Sequence, residues 1–289
     1  MSNQLIIGTA QFGMSYGIAN AVGKVPFSEV ARILDLAWSS GICTLDTAKS
    51  YGASERVIGS YLQQRRHCSW SVITKLSDKG ESVPSRINDS KERLTIQAKA
   101  VLAHSSDLYV DSWFQEGMNK AKNEGMVEQI GVSLYSEDEI VRVMDSTLTP
   151  DIIQLPINIL DTRLYRSGIL NGLSSSGVEV HARSVFLQGM FFLTEKQLTR
   201  RFTGALPYIS ELTAIAGKVG LTLPELSLLW LTGLQEVTKV VIGVDDVVQL
   251  ESHLATLKKS RSPTAFEEAI SIACEDKHVL DPRLWEQAC

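Results

Sequence analysis

The strongest constraint on the fold is the regular alternation of short apolar runs of β type with longer segments of helical periodicity. Strands that alternate with helices form a parallel sheet, and eight strand–helix units close into a barrel. Eight apolar runs occur here, and they are Leu5–Gly8, Cys43–Asp46, Ser71–Lys75, Ala98–His104, Val127–Ser133, Ile152–Pro156, Val178–Arg183 and Val240–Gly243. The pattern therefore predicts an α/β fold of the (β/α)8 TIM-barrel type.

The segments between the runs carry apolar residues at the spacing of amphipathic helices. The clearest of them predict helices over Phe27–Ser40, Ser54–Gln64, Asp111–Glu124, Glu137–Asp145 and Val247–Leu257. Because no linker rich in Pro, Gly or Ser divides the chain, we predict one barrel domain over residues 1–289. Two segments are additional to the strands, helices and short loops of a minimal barrel. Residues 11–25 are predicted to form an N-terminal hairpin over the bottom of the barrel, and residues 187–203 a long loop after the seventh strand.

Composition and charge exclude several classes of protein. A content of 44% apolar and 21% charged side chains is typical of a folded, water-soluble protein. The net charge of −5, without a cluster of Lys or Arg, makes nucleic acid and anionic membranes poor partners. The four cysteines lack CxxC spacing, no export signal or membrane-spanning run is evident, and no metal site is predicted. We therefore expect a cytoplasmic protein with reduced thiols at Cys43, Cys68, Cys274 and Cys289.

Polar side chains end several of the predicted strands. In Val178–Arg183 the apolar residues alternate with Glu179, His181 and Arg183, which are therefore expected to point into the barrel. The same alternation in the other strands predicts that one polar side chain near the carboxyl end of each points into the barrel. These residues are Asp46, Lys75, His104, Ser133 and Gln154. Barrel enzymes hold their chemistry at that end. Any one of these residues could be an ordinary hydrogen-bonded group, but an Asp, a Lys and a His from consecutive strands favour an active site, because burying them apart would be costly.

The segment Leu45–Glu55, which reads LDTAKSYGASE, resembles the signature of the aldo-keto reductases, where an Asp precedes a Tyr by five residues in the context Y-G-x-S-E. The resemblance continues in the family's order through Gly8-Thr9, Ile73–Lys75, Val101–His104, Ile130–Ser133, Ile153-Gln154, Arg183-Ser184 and Val241–Gly243. It thus covers nearly the whole chain. It implies an NAD(P)(H)-dependent oxidoreductase that transfers hydride from a nicotinamide cofactor to an aldehyde or ketone, or the reverse.

By this resemblance the catalytic residues are Asp46, Tyr51, Lys75 and His104. Tyr51 would protonate the carbonyl oxygen, and His104 would donate a hydrogen bond to the same oxygen. A phenol with a pKa near 10 is a weak acid at neutral pH. We expect Lys75, held in its charged form by Asp46, to lower the pKa of Tyr51.

The resemblance also implies a set of cofactor contacts, namely Ser133, Gln154, Arg183, Ser184, Phe186, Gln188, Gly189, Gly243, Asp245, Gln249 and His253. Ser133 and Gln154 match positions that hold the nicotinamide carboxamide, and Arg183 falls where a flat side chain covers the ring. The Asn that commonly follows the Ser is Leu134 here.

After the eighth strand the family usually carries a basic or hydroxyl residue that binds the 2′-phosphate of NADPH. This chain has Asp245 and Asp246 there and no base nearby. A carboxylate repels a phosphate but accepts a hydrogen bond from a 2′-hydroxyl. NADP(H) is the family default, whereas the local chemistry favours NAD(H) or a weakly selective site, and both stay open.

The substrate is expected to be a small carbonyl compound, with a sugar derivative as one candidate. Aromatic and apolar side chains that could line its pocket are Phe12, Met14, Tyr16, Tyr109, Trp113 and Phe192. Two other functions stay open. One is a nicotinamide-binding sensor or regulatory subunit with negligible turnover, and the other is a lyase that forms a Schiff base at Lys75.

Overall fold

Eight parallel strands close on themselves in the computed structural model, which describes residues 2–272 and 274–285. They are β1 (Leu5–Gly8), β2 (Thr44–Asp46), β3 (Ser71–Leu76), β4 (Ala100–Ala103), β5 (Gln129–Ser133), β6 (Ile152–Pro156), β7 (Glu179–Arg183) and β8 (Lys239–Gly243). Each strand pairs with the next, and β1 pairs with β8, which completes the ring. The predicted (β/α)8 barrel is confirmed, with β2, β4, β5 and β7 shorter than the apolar runs that predict them.

The helices of the described residues surround the barrel and cover its ends. They are α1 (Ala10–Gly13), α2 (Phe27–Ser39), α3 (Ser54–Gln64), α4 (Val83–Leu94), α5 (Ser106–Tyr109), α6 (Ser112–Asn123), α7 (Glu137–Met144), α8 (Arg163–Arg166), α9 (Ile169–Ser175), α10 (Glu195–Arg201), α11 (Leu206–Lys218), α12 (Leu223–Leu231), α13 (Val247–Thr256), α14 (Pro263–Ile270) and α15 (Lys277–Leu280). Short 3-10 turns occur at Ser2–Gln4, Leu187–Phe192, Thr203–Ala205 and Pro282–Leu284. The five predicted helices all form, and their ends agree within one residue.

The hairpin predicted over residues 11–25 does not form, and this segment lies at the other end of the barrel. After the single turn of α1 the chain is irregular, and the Asn20 side chain accepts from the N–H groups of Val22 and Gly23, which stabilises a turn rather than a strand pair. The Ile18 N–H donates to the Gln188 carbonyl at 2.9 Å. Because β1 runs toward the end of the barrel where the strands have their carboxyl ends, the segment that follows β1 lies at that end, which we call the mouth.

The barrel wall follows the predicted alternation of inward and outward side chains. Val180 and Ala182 of β7 belong to the apolar layer between strands and helices, whereas Glu179 and His181 bond each other on the inner side. The barrel centre is filled by a separate apolar cluster, made of Ile6, Ile73, Ala100, Leu102 and Ile152, with Val241 packed against it. The lower barrel is thus a packed core, and polar groups are left for the mouth.

None of the described helices alone has the length and apolar composition needed to cross a bilayer. Residues Thr203–Lys218 and Leu223–Leu231 meet that criterion only when taken together, as a pair that bends by 80°. The thiols of Cys43, Cys68 and Cys274 are free, and Cys289 lies outside the described residues.

The close approach of α3 to the end of α4 predicts a position-specific effect of alanine. A Cβ at Gly59 would lie 2.1 Å from the backbone oxygen of Arg93, whereas one at Gly172 in α9 would meet nothing within 4 Å. We expect Gly59→Ala to lower the free energy of unfolding by about 1–3 kcal/mol through overpacking. Gly172→Ala should raise it by up to about 1 kcal/mol, because alanine favours the helix. Urea denaturation of both variants measures this difference, and equal effects would contradict the packing described.

Candidate active site

A cavity of about 560 Å³ opens at the carboxyl ends of the strands. Most of the residues predicted for the site line it, and these are Asp46, Tyr51, His104, Ser133, Gln154, Arg183, Ser184, Phe186, Gln188, Gly189, Gly243, Asp245 and Gln249. Lys75 and His253 do not line it. Lys75 is buried close to Tyr51, and His253 is buried with its ring stacked on Phe186 at 4.7 Å between centroids. The volume lies within the usual range of ligand pockets, about 300–1,000 Å³.

A buried ion pair lies at the inner end of the cavity. Lys75 Nζ donates to Asp46 Oδ1 at 2.5 Å and to the Thr47 carbonyl at 3.0 Å. The second oxygen of Asp46 accepts from Gln154 Nε2 at 2.6 Å, which links β2 to β6 across the barrel. Burial lowers the pKa of Lys75, and the Asp46 carboxylate opposes this effect. Gln154 thus supports Asp46, a role that the sequence does not predict.

The residues around Tyr51 explain why its motif has the form Y-G-x-S-E. Gly52 adopts a φ of +59°, and a Cβ there would lie 2.7 Å from the Gly13 carbonyl oxygen. Ser54 Oγ donates to the Thr9 carbonyl at 2.8 Å, and the buried Glu55 accepts hydrogen bonds from neighbouring elements. These contacts fix the loop that carries Tyr51, whose ring centroid lies 5.2 Å from Lys75 Nζ.

The pKa of Tyr51 differs from the prediction. Burial and the Asp46 carboxylate raise the pKa of the phenol, and the cation that lowers it is Arg183 rather than Lys75. The expected net lowering of the Tyr51 pKa is therefore not found. The physical reason is that burial disfavours the charged phenolate and that Asp46, the partner of Lys75, places a negative charge near the ring.

His104 lies beside Tyr51 in an edge-on arrangement, with 6.0 Å between ring centroids. Burial and the positive charges of Lys75 and Arg183 lower the pKa of His104 to about 4. Its imidazole is therefore neutral at pH 7. Ser50 Oγ lies 3.3 Å from His104 Nδ1, and when this hydroxyl donates, the imidazole proton is on Nε2.

Arg183 and Tyr135 form an aromatic–cation stack at the side of the cavity. The Arg183 guanidinium carbon lies 4.1 Å from the Tyr135 ring centroid, and that of Arg283 lies 3.5 Å from it. Arg183 Nε donates to Ser133 Oγ at 3.2 Å, and Nη2 donates to the Leu134 carbonyl at 3.0 Å. Tyr135 was not predicted as a site residue, although it continues the inward phase of Gly131 and Ser133.

The two residues predicted to hold a carboxamide retain complementary hydrogen-bonding groups. Ser133 Oγ accepts from Arg183, so its hydroxyl proton remains to donate. Gln154 uses its amide nitrogen for Asp46, which can only accept, so its amide oxygen remains to accept. One donor beside one acceptor matches the oxygen and NH2 group of a primary carboxamide. The residues present therefore fit the nicotinamide end of the cofactor.

The other end of the cavity carries a carboxylate. Asp245 is half-buried, accepts from Asn20 Nδ2 at 3.0 Å and donates its backbone N–H to Gln249 Oε1 at 2.9 Å. Burial raises the pKa of Asp245. Among the described residues that line the cavity, Arg183 is the only Lys or Arg, and it lies at the inner end. No base is therefore available beside Asp245 within the cavity.

The predicted apolar lining of the pocket is only partly found. Tyr16 and Phe192 line the cavity. Phe12 and Tyr109 are fully buried in the core, where the Tyr109 hydroxyl donates to the Leu148 carbonyl, while Trp113 packs against that core and Met14 is exposed. Their loops direct these four away from the cavity, which periodicity could not indicate.

The fold and the cavity define a TIM-barrel protein with a small-molecule site at the carboxyl ends of its strands. The model of the aldo/keto reductase family matches residues 4–272, so the chain belongs to that family. Membership implies an NAD(P)-dependent oxidoreductase that acts on small carbonyl compounds.

Solved structures of aldo-keto reductases share the fold, and two of them align over more than nine-tenths of both chains. An aldo-keto reductase of Bacillus halodurans in its holo form has 19% identity and a TM-score of 0.75, over 98% of this chain and 95% of that chain. A thermostable aldo-keto reductase in complex with the inhibitor epalrestat has 20% identity and a TM-score of 0.73, over 93% of this chain and 95% of that chain.

The buried His253 predicts a loss of stability in acid. Burial lowers its pKa to about 4, so between pH 6.5 and 4 the unfolded chain binds a proton that the folded chain does not. Stability is therefore full above pH 6.5 and declines toward pH 4. We expect His253→Gln to remove on the order of 2 kcal/mol of this decline. The exposed His278→Gln is the control, and urea denaturation at pH 7 and 4.5 measures both; equal declines in the two variants would contradict the prediction.

Proposed function

We propose that the protein reduces a small aldehyde or ketone with a nicotinamide cofactor, or oxidises the corresponding alcohol. The observation that carries this proposal is the Lys75–Asp46 pair buried close to Tyr51, with a neutral His104 beside the phenol at the inner end of the cavity. A reduced nicotinamide supplies the hydride when the cofactor is bound.

Tyr51 is the general acid in this proposal. Because burial raises its pKa, Tyr51 retains its proton at neutral pH and transfers it only as negative charge develops on the carbonyl oxygen. Arg183 stabilises the resulting phenolate, and the Asp46–Lys75 pair holds the floor of the site. Neutral His104 donates a hydrogen bond to the same oxygen and orients the substrate.

The cofactor contacts divide the cavity between its two ends. We assign Ser133 and Gln154 to the nicotinamide carboxamide, and the segment Ser184–Gly189, including Phe186 and Gln188, to the pyrophosphate. Gly243, Asp245 and Gln249 are assigned to the adenosine. His253 supports this end indirectly, because it is buried and its ring stacks on Phe186.

We propose NADH as the preferred cofactor. Asp245 lines the cavity with no base beside it, so a 2′-phosphate would meet a carboxylate, whereas a 2′-hydroxyl could donate to it. The substrate is a small polar carbonyl compound, with a sugar derivative as a candidate, since the inner end presents hydroxyl groups of Tyr16 and Tyr135. A single domain and a cytoplasmic location with free thiols complete the proposal.

The lyase alternative is disfavoured by the burial of Lys75. Its side chain is 1% exposed, does not line the cavity, and donates to both Asp46 and Thr47. A Schiff base needs a neutral amine that the carbonyl carbon can reach. The sensor alternative differs from the reductase in turnover alone, so the activity test below distinguishes them.

Replacement of Tyr51 tests the proposed acid. We expect Tyr51→Phe to lower kcat by about 10²–10⁴-fold, because no other group would donate the proton, while affinity for the cofactor stays near that of the wild type. Absorbance of the reduced nicotinamide, with a panel of small aldehydes and ketones, measures kcat. Tyr16→Phe is the matched control and should retain most turnover. If Tyr16→Phe loses turnover and Tyr51→Phe does not, Tyr16 rather than Tyr51 is the general acid. A wild type that binds the cofactor but has no measurable turnover would support the sensor alternative.

A double variant tests the proposed cofactor preference. Asp245→Ser with Gln249→Arg replaces the carboxylate and adds a cation, and we expect the affinity for NADPH relative to NADH to rise at least about tenfold, as a charge-assisted hydrogen bond allows. Calorimetric titration with each cofactor measures the ratio. Glu251→Arg on α13 makes the same change in net charge at an exposed site outside the cavity. If this control shifts the ratio equally, Asp245 does not lie beside the 2′-position.

A further inference from the structure

Arg183 differs from Lys75 in having no charged partner among the described residues. Its Nε, Nη1 and Nη2 groups donate to Ser133 Oγ, Ser184 Oγ and the Leu134 carbonyl, all of them neutral acceptors. Its planar face rests on the neutral Tyr135 ring. A guanidinium stays protonated in proteins, so its positive charge persists inside the cavity.

The other groups at the inner end leave that charge uncompensated. Asp46 is bonded to Lys75, so their charges cancel. Tyr51 and Tyr16 are neutral at pH 7 because burial raises their pKa values, and His104 is neutral because its pKa is lowered. The inner end therefore carries a net charge of one positive unit.

The nearest acids outside the cavity are already engaged. Asp281 bonds Arg283 at 2.6 Å, and Glu139 caps α7 by accepting from the N–H of Ser136. Asp245 lines the opposite end, where it accepts from Asn20. Within the described chain Arg183 thus has no direct ion pair, although Asp281 is close enough for its pKa to be lowered by the Arg183 charge.

This charge has a consequence for the cofactor, on the condition that the proposed function holds. An oxidised nicotinamide ring carries a positive charge and a reduced ring carries none. Arg183 bonds Ser133, one of the two residues fitted to the carboxamide, and acts electrostatically on Tyr51. A nicotinamide whose carboxamide met Ser133 would therefore be close enough to the guanidinium for its positive ring to be repelled.

We propose that Arg183 makes the site select the redox state of its cofactor, binding the reduced form tightly and the oxidised form weakly. The repulsion also speeds release of the oxidised cofactor once the hydride has been transferred. Arg183 is thus a specificity-determining residue for the oxidation state of the cofactor, in addition to its contacts with Ser133 and Leu134.

Binding affinities test this without any turnover. Calorimetric titration of the full chain with NADH and NAD⁺, and with NADPH and NADP⁺, measures the ratio of oxidised to reduced dissociation constants. We expect the wild type to bind the oxidised form at least about tenfold more weakly. In Arg183→Gln this ratio should fall about tenfold, through tighter binding of the oxidised form. Arg183→Lys, which keeps the charge, should retain most of the wild-type ratio.

ADP-ribose is the control ligand, because it lacks the nicotinamide ring and should bind all three proteins equally. Equal dissociation constants for the two redox forms in the wild type overturn the proposal, and this measurement needs no variant. The proposal is also overturned if Arg183→Gln weakens binding of the reduced cofactor and leaves binding of the oxidised cofactor unchanged. If neither redox form binds the wild type, the proposed function itself fails. A redox-independent affinity refutes only the inference about Arg183.

Discussion

The ion pair between Lys75 and Asp46 is the interaction on which the mouth of the barrel depends. Removing two charges from water costs several kcal/mol per ion, and only close pairing with additional hydrogen bonds offsets that cost. Here the Thr47 carbonyl and the Gln154 amide supply the additional bonds. Losing one partner would leave an uncompensated buried charge, at a cost of about 3–5 kcal/mol. The pair therefore joins β2, β3 and β6 into one rigid floor under Tyr51.

The same ion pair affects the electrostatics of the cavity next to it. Because Lys75 is paired with Asp46, the unpaired cation among the described residues that line the cavity is Arg183, which lowers the pKa of Tyr51. The acid, Tyr51, thus comes from the loop after β2. The cation that assists it, Arg183, comes from β7, which is not adjacent to β2 in the barrel. Neutral His104 completes a site in which one positive charge faces several uncharged hydrogen-bonding groups.

Periodicity was enough to predict the barrel and the phase of its inward residues, because burial imposes a repeat of two on strands and a wider repeat on helices. Helices α4 and α12 were not predicted, although Ser82 caps the first turn of α4 and the Thr222–Glu225 capping box marks that of α12. The segment of residues 11–25 was mispredicted because side-chain hydrogen bonds at Asn20, which leave no periodic trace, decide its path. Arg283 reaches Tyr135 from a distant part of the chain, and no local pattern predicts such a contact.

The irregular segment after α1 also bears on how a long ligand enters and leaves. Its backbone bonds Gln188 and its Asn20 side chain bonds Asp245, so it bridges two walls that both line the cavity. A dinucleotide that extended along both walls would contact this segment. If the proposed cofactor lies along both walls, opening of these two hydrogen bonds would be one step of its release. A smaller molecule bound only at the inner end would not need these hydrogen bonds to open.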